Sequence, residues 1–256
     1  MDERQPDEAP PTDAGDDGYT SDGPVGGHPS EPHHRNLQGG WARAAVFGVS
    51  DGLVSNTALV LGLAGAHAAA ATVRLAGLAG LIGGAFSMAA GEYVSMRAQR
   101  ELLERELEVE RLALHHEPAA ERRELAKLYE SRGVEPDVAH ELAGRMMADP
   151  EVALEIHARE ELGVDPRELG NPMQTAVSSF VTFALGAVLP LLPWLVTGGT
   201  GATMISVVVA AVVSLVVGGV LSIFTGRSWH WSAVRQLLIS GAAAAVTYSI
   251  GVVIGA

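Results

Sequence analysis

Five runs of residues, each about the ~20 that a helix needs to cross the hydrocarbon of a bilayer, constrain this chain more than any other feature. They are Val46 to Ala66, Leu75 to Met96, Thr175 to Val196, Thr203 to Thr225 and Val234 to Ile254. In lipid every backbone N–H and C=O must be satisfied within the segment, so runs of this length read as helices. The expected fold class is therefore an all-α membrane protein with five transmembrane helices. The connections after the third and fourth spans must be short, because the last 86 residues leave room for little else.

Charge divides the rest of the chain. The net charge of -13 is a sum over unlike regions. Residues 1–35 hold nine acids against Arg4 and Arg35, residues 98–170 hold nineteen acids against ten Lys and Arg, and Asn171 to Ala256 has none. Low hydrophobicity with many Pro and Gly predicts a disordered acidic tail over 1–38. Residues 39–97 then carry the first two spans, 98–170 a helical insert, and 171–256 the last three spans. Within the insert, Pro118, Pro136 and Pro150 suit first-turn positions of short helices, and Tyr93 to Glu117 contains no Pro or Gly to stop the second span. A domain of about 70 residues buries too little apolar surface for a strong core of its own.

Orientation follows from the basic residues. Arg43 precedes the first span, Arg97 and Arg100 follow the second, and Arg227 and Arg235 lie between the fourth and fifth. The positive-inside rule puts the N-terminus and the insert in the cytoplasm. No cleavable signal peptide is visible, and a bacterial-type plasma membrane is the expected location. The chain has no Cys, which leaves oxygen, imidazole and thioether as metal ligands.

Two acids stand inside the apolar runs: Asp51 and Glu92. An ionisable group at that depth costs at least ~2.5 kcal/mol, so it usually faces a protein interior or a wet path. On a helical rise, Asp51 lies ~12 Å past Arg43 and Glu92 ~8 Å before Arg97. Two antiparallel neighbouring spans would bring them to similar depth, where they could share one site. Met88, Glu92 and Met96 fall at i, i+4, i+8 on one helical face. Thioether beside carboxylate suits a borderline ion such as Fe²⁺ better than Mg²⁺ or Ca²⁺. Met is also a common core filler, and a Glu near a helix end can reach the interface; both readings stay open for Glu92 and Met96. Asp51 is too short for that. Its setting, Gly48-Val49-Ser50-Asp51-Gly52, permits close helix approach and local unwinding. The glycines of the second span suit tight contact within a subunit or across a dimer axis. In the insert, acids recur at helical spacing, a pattern that solvated helix faces also produce.

The run Ala45-Val46-Phe47-Gly48-Val49-Ser50-Asp51-Gly52-Leu53-Val54-Ser55 resembles the vacuolar iron transporter family. So do Gly83-Gly84-Ala85-Phe86-Ser87-Met88-Ala89-Ala90-Gly91-Glu92-Tyr93-Val94-Ser95 and Glu161-Leu162-Gly163 ahead of a span with Pro190-Leu191-Leu192-Pro193. The resemblance covers about residues 36 to 256. It implies a homodimeric transporter that moves Fe²⁺, and often Mn²⁺, out of the cytoplasm in exchange for protons. It implies an ion path lined by the first two spans, with Asp51 and Met88 at the family's transport positions and Glu92 at a further acid of the motif. The insert resembles the family's metal-binding domain, whose Glu positions fall on Glu110, Glu121, Glu124 and Glu161. Ala113 stands where that pattern has another Glu, and His157 and Ala158 stand where it has paired Met. His157 can replace one thioether with imidazole, and Glu117 or His116 could complete the set. The partners implied are a second copy, the bilayer, divalent ions and protons, with no nucleic acid. The alternatives are a di-metal iron-oxidising enzyme, which would need Glu-x-x-His motifs absent from the insert, and a metal-sensing membrane protein.

Overall fold

A computed structural model of the chain describes residues 40–166 and 169–255, and all of its regular structure is helical. The expected acidic tail lies outside the described residues. The first helix, α1, spans Gly40–Gly65, and α2 spans Ala70–His116. Three short helices follow: α3 (Pro118–Ser131), α4 (Pro136–Met146) and α5 (Pro150–Glu160). The last three are long again: α6 (Pro172–Val196), α7 (Gly199–Thr225) and α8 (Trp229–Gly255). Helices α1, α2, α6, α7 and α8 are long and apolar enough to cross a membrane. This is a multi-pass membrane protein. Helices α1 and α8 begin a few residues before their apolar runs, because the interface tolerates Trp41, Arg43 and Trp229 at the ends.

Helix α1 is the hub, packed against α2, α6, α7 and α8. Its contact with α6 is backbone-close. A Cβ on Gly48 or Gly52 would collide with Ser179, Thr182 and Phe183 of α6, and one on Gly186 would collide with the backbone of Val49 and Leu53. Of the close approach and local unwinding that Gly48 and Gly52 permit, the fold uses the first: α1 is continuous there, and the glycines serve helix approach. Asn56 ties the pair together by donating from Nδ2 to the Ala187 carbonyl at 2.6 Å. At the end of α1 the chain turns through His67, whose φ is 52°, so that α2 runs back antiparallel. A core of Val60, Val73, Leu191, Trp194 and Ala202 closes that end of the bundle.

Helix α8 is parallel to α1. Gln236 of α8 meets Ser50 of α1, and fifteen residues on Gly251 presses on the backbone of Gly62. That register brings Trp229 and Arg227 level with the Trp41 to Arg43 end of α1.

Helix α2, at 47 residues, is about 70 Å long. Its apolar part ends near Met96, and the remainder carries α3–α5. Proline at the first turn starts each of these three helices, and the Asp149 carboxylate caps α5 by accepting from the Glu151 and Val152 amides at 2.9 and 3.3 Å. Their core is small: Leu125, Ala126, Ala139 and Ala143, with Tyr129, Met146 and Ile156 against it.

Candidate functional site

The spanning helices contain a cavity of about 350 Å³ between α1, α2 and α6. Asp51 and Met88 line it, together with Ser55, Asn56, Ser87 and Phe183. Gly80 and Gly84 supply the space on the α2 side, since a Cβ at either would run into Leu59 or Phe183. Met88 is half-buried against the Ala85, Phe183 and Ala187 cluster, whereas Asp51 is exposed on the single chain. The lining therefore offers a carboxylate, a thioether, hydroxyls and an amide around one space. Asn56 was not among the residues singled out from sequence. It is buried, and its Oδ1 has no hydrogen-bond partner while Nδ2 is held by Ala187. The signal was available: Asn56 stands one turn beyond Asp51 in an otherwise apolar run.

Glu92 stands apart from this lining. It pairs with Arg43 at 3.2 Å, with the Glu92 side chain 14% exposed and the Arg43 side chain 55%. Arg43 also sits over the Phe47 ring, 5.9 Å from its centroid. Met96 is buried over Gly40, Gly170 and Thr175. Of the three residues on that helical stripe, only Met88 reaches the cavity.

A second cluster forms where α2, α3 and α5 meet. Ligand atoms of Glu110, Glu121, His157 and Glu161 all lie within 4.8 Å of one another. His157 is the centre, with its side chain fully buried. Its Nδ1 is 3.1 Å from Glu110 Oε1, 3.9 Å from Glu121 Oε2 and 3.0 Å from Glu161 Oε1. One ring nitrogen has at most one hydrogen, and the aligned partner is Glu161. Glu110 Oε1 is thus close to the ring yet buried without a hydrogen bond, and His157 Nε2 is orphaned in the same way. First-row metal bonds of about 2.0–2.2 Å place neighbouring ligand atoms about 3.0–3.5 Å apart; Glu110 and Glu161 stand at that separation from His157 Nδ1, and Glu121 stands farther off. Burial, followed by the nearby Glu161, raises the Glu110 carboxyl above its ordinary range. Burial and then Glu124 do the same to Glu121. His157 pulls both the other way, by less than burial pushes.

Four of the five insert residues expected from sequence are therefore brought together. Glu124 is exposed on α3 and acts on Glu110 and Glu121 through its charge. Glu117 caps the junction of α2 and α3, and His116 bonds the Leu112 carbonyl at 2.8 Å; neither joins the cluster. Ala158 is buried and offers no donor.

The family model described as "VIT family" matches residues 42–252, nearly all of the described chain. The chain belongs to the VIT family. Among its relatives, the "Vacuolar iron transporter" of Acanthamoeba castellanii is 34% identical over 228 residues, covering 85% of this chain and 81% of the relative. The "Vacuolar iron transporter 1" of Oryza sativa subsp. japonica is 30% identical, covering 87% and 89%. That of Arabidopsis thaliana is 29% identical, covering 89% and 90%. The relatives are transporters by name, which sets the iron-oxidising enzyme aside for this VIT-family chain. They are vacuolar proteins of eukaryotes by name, which lends no support to a bacterial-type plasma membrane.

Proposed function

We propose that this VIT-family chain moves Fe²⁺, and Mn²⁺ with it, out of the cytoplasm as a homodimer in exchange for protons, with Asp51 and Met88 in the ion path. The supporting observation is the cavity lined by a carboxylate from α1 and a thioether from α2, within helices long enough to span a bilayer. Hard oxygen with soft sulfur suits Fe²⁺, and Mn²⁺ uses the same oxygens. The relatives' names, which specify iron, point the same way. Asp51 faces out of the single chain. A carboxylate turned to lipid is expensive, so a second copy laid over the open face of α1 and α2 gives it an interior to occupy.

In this reading the insert is cytoplasmic and Glu110, Glu121, His157 and Glu161 collect the ion, with Glu124 adding field. Glu110 stands 22 residues beyond Met88 on α2, or ~33 Å along the helix. Screening at physiological salt acts over about 8 Å, so the cluster does not act on Asp51 directly. It raises ion occupancy at the mouth. Protons from the far side then compete for Asp51 and release the ion. Glu92, tied to Arg43, holds the ends of α1 and α2 together at the interface.

Proteoliposomes with a pH gradient test this. Asp51→Asn should lower Fe²⁺ and Mn²⁺ flux at least about a hundredfold, whereas Glu92→Gln should stay within about threefold, as expected of a partly exposed ion pair worth ~1 kcal/mol or less. Near-normal flux through folded Asp51→Asn would overturn the path; binding at the insert without flux in the wild type would favour a metal sensor.

A further inference from the structure

Two arginines of the last three spans differ from those that border the first two. Arg43 holds Glu92, Arg97 holds Glu101, and Arg74 donates to the Trp194 and Thr197 carbonyls at 2.5 and 3.0 Å. From Asn171 onward the chain has no acid, and neither Arg227 nor Arg235 has an ion-pair or hydrogen-bond partner among the described residues. Both are exposed.

Their position makes a missing partner costly. Arg227 lies in the turn between α7 and α8, and Arg235 lies six residues past Trp229, ~9 Å into α8 and inside its apolar run. Ser232, Ala233 and Gln236 turn the other way: Gln236 Nε2 donates to Ser50 Oγ of α1 at 2.7 Å, and Gly218 of α7 packs on the backbone of Ser232 and Ala233. The outward face of α8 carries Trp231 and Arg235 at i, i+4, with Val234 and Leu238 beside them. A guanidinium on the lipid side of a spanning helix is expensive unless its stem carries it up to the interface and an anion meets it there. Trp229 and Trp231, each 59% exposed, mark that interface, because indoles collect at headgroup level with the ring among acyl chains and the N–H on the polar side.

We propose that Arg227 and Arg235, flanked by Trp229 and Trp231, bind the headgroup phosphate of an anionic phospholipid. The protein offers these two cations no counter-charge, and the membrane surface at their level is where one is available. Guanidinium matches the phosphate oxygens with paired hydrogen bonds, and each arginine close to an anionic surface adds about fivefold to affinity. Farther along α8 the same exposed face continues as Leu238, Ile239 and Val246, a surface on which the acyl chains of the bound lipid can lie. The site is on a different helix from Asp51 and Met88, and it stands or falls independently of the transported ion.

Native mass spectrometry of the full chain, titrated in detergent with phosphatidylglycerol or with phosphatidylcholine of the same acyl chains, tests this. The wild type should bind its first phosphatidylglycerol at least about tenfold more tightly than its first phosphatidylcholine, and Arg227→Gln with Arg235→Gln should bring the two lipids within about twofold. Arg100→Gln with Arg145→Gln removes two guanidiniums already held by Glu104 and Glu141, and it should keep the preference. Equal affinity for the two lipids in the wild type overturns the proposal and leaves the arginines to an acidic segment of this chain or of a second copy. A preference that survives the loss of Arg227 and Arg235 overturns it as well. So does one lost equally in the Arg100 and Arg145 variant, since net charge alone would then account for it. Displacement of phosphatidylglycerol by excess inorganic phosphate, at matched ionic strength, would make the ligand the free anion and overturn the lipid assignment.

Discussion

Asp51 and Glu92 look alike in sequence, as lone acids in neighbouring spans near the ends that carry Arg43 and Arg97, and the fold gives them different company. Asp51 shares a cavity with Met88, while Glu92 is neutralised by Arg43. Nothing in a linear pattern says which of two acids an arginine on another helix will reach. His157 is the converse case. The family pattern marked it as a departure, and the fold places its ring beneath three carboxylates with Nδ1 toward them. His157→Ala should weaken Mn²⁺ binding to the purified protein at least about tenfold, equal to ~1.4 kcal/mol, by isothermal titration; unchanged affinity would remove the imidazole from the ligand set. The acids around it also fix a pH dependence. Glu110 and Glu121 are raised in the fold above their ordinary 4.5, so the folded protein keeps protons that the unfolded chain has already released. Without metal, their contribution therefore disfavours the fold increasingly as pH rises from 4.5 through the raised values. In EDTA, the wild-type melting temperature should fall from pH 5 to pH 7.5 by more than that of Glu110→Gln with Glu121→Gln, and equal falls would contradict the assignment.

At the scale of elements, the five spans and the short helices of the insert were legible because their signals are local. Apolar runs of bilayer length, Pro at first turns and an uninterrupted α2 each need only neighbours along the chain. What the glycines do was not legible. Gly52 and Gly83 both sit in spans rich in small residues, yet a Cβ on Gly52 would strike the Phe183 carbonyl and one on Gly83 would meet nothing within 4 Å. Gly52→Ala should destabilise the bundle by about 1–3 kcal/mol or prevent its folding, as overpacking does, and Gly83→Ala should leave the protomer's thermal stability unchanged. Thermal melts in detergent read both. If a second copy covers α2 at Gly83, the same Gly83→Ala variant should lower dimer content in native mass spectrometry. A dimer that is indifferent to it would place the interface elsewhere.

At the scale of the molecule, α1 organises the protein, with the cavity at Asp51 on one face and the packing against α7 and α8 on another. The orientation proposed for it is testable without background, because the chain has no Cys. In inside-out vesicles, a membrane-impermeant maleimide should label His116→Cys and spare Thr200→Cys, and right-side-out vesicles should reverse the pattern. Equal labelling of both from one side would refute the arrangement. The family, the class of fold and the number of spans were determined by the sequence alone, because hydropathy over bilayer length and contiguous motifs are properties of the chain itself. Only the tertiary structure decided that Glu92 pairs with Arg43 instead of lining the cavity with Asp51 and Met88, that Asn56 joins that lining, and that Glu124 stands outside the insert cluster. These depend on which helix faces pack together, and packing between residues distant in sequence is set by shape and close contact across helices, which no single segment contains.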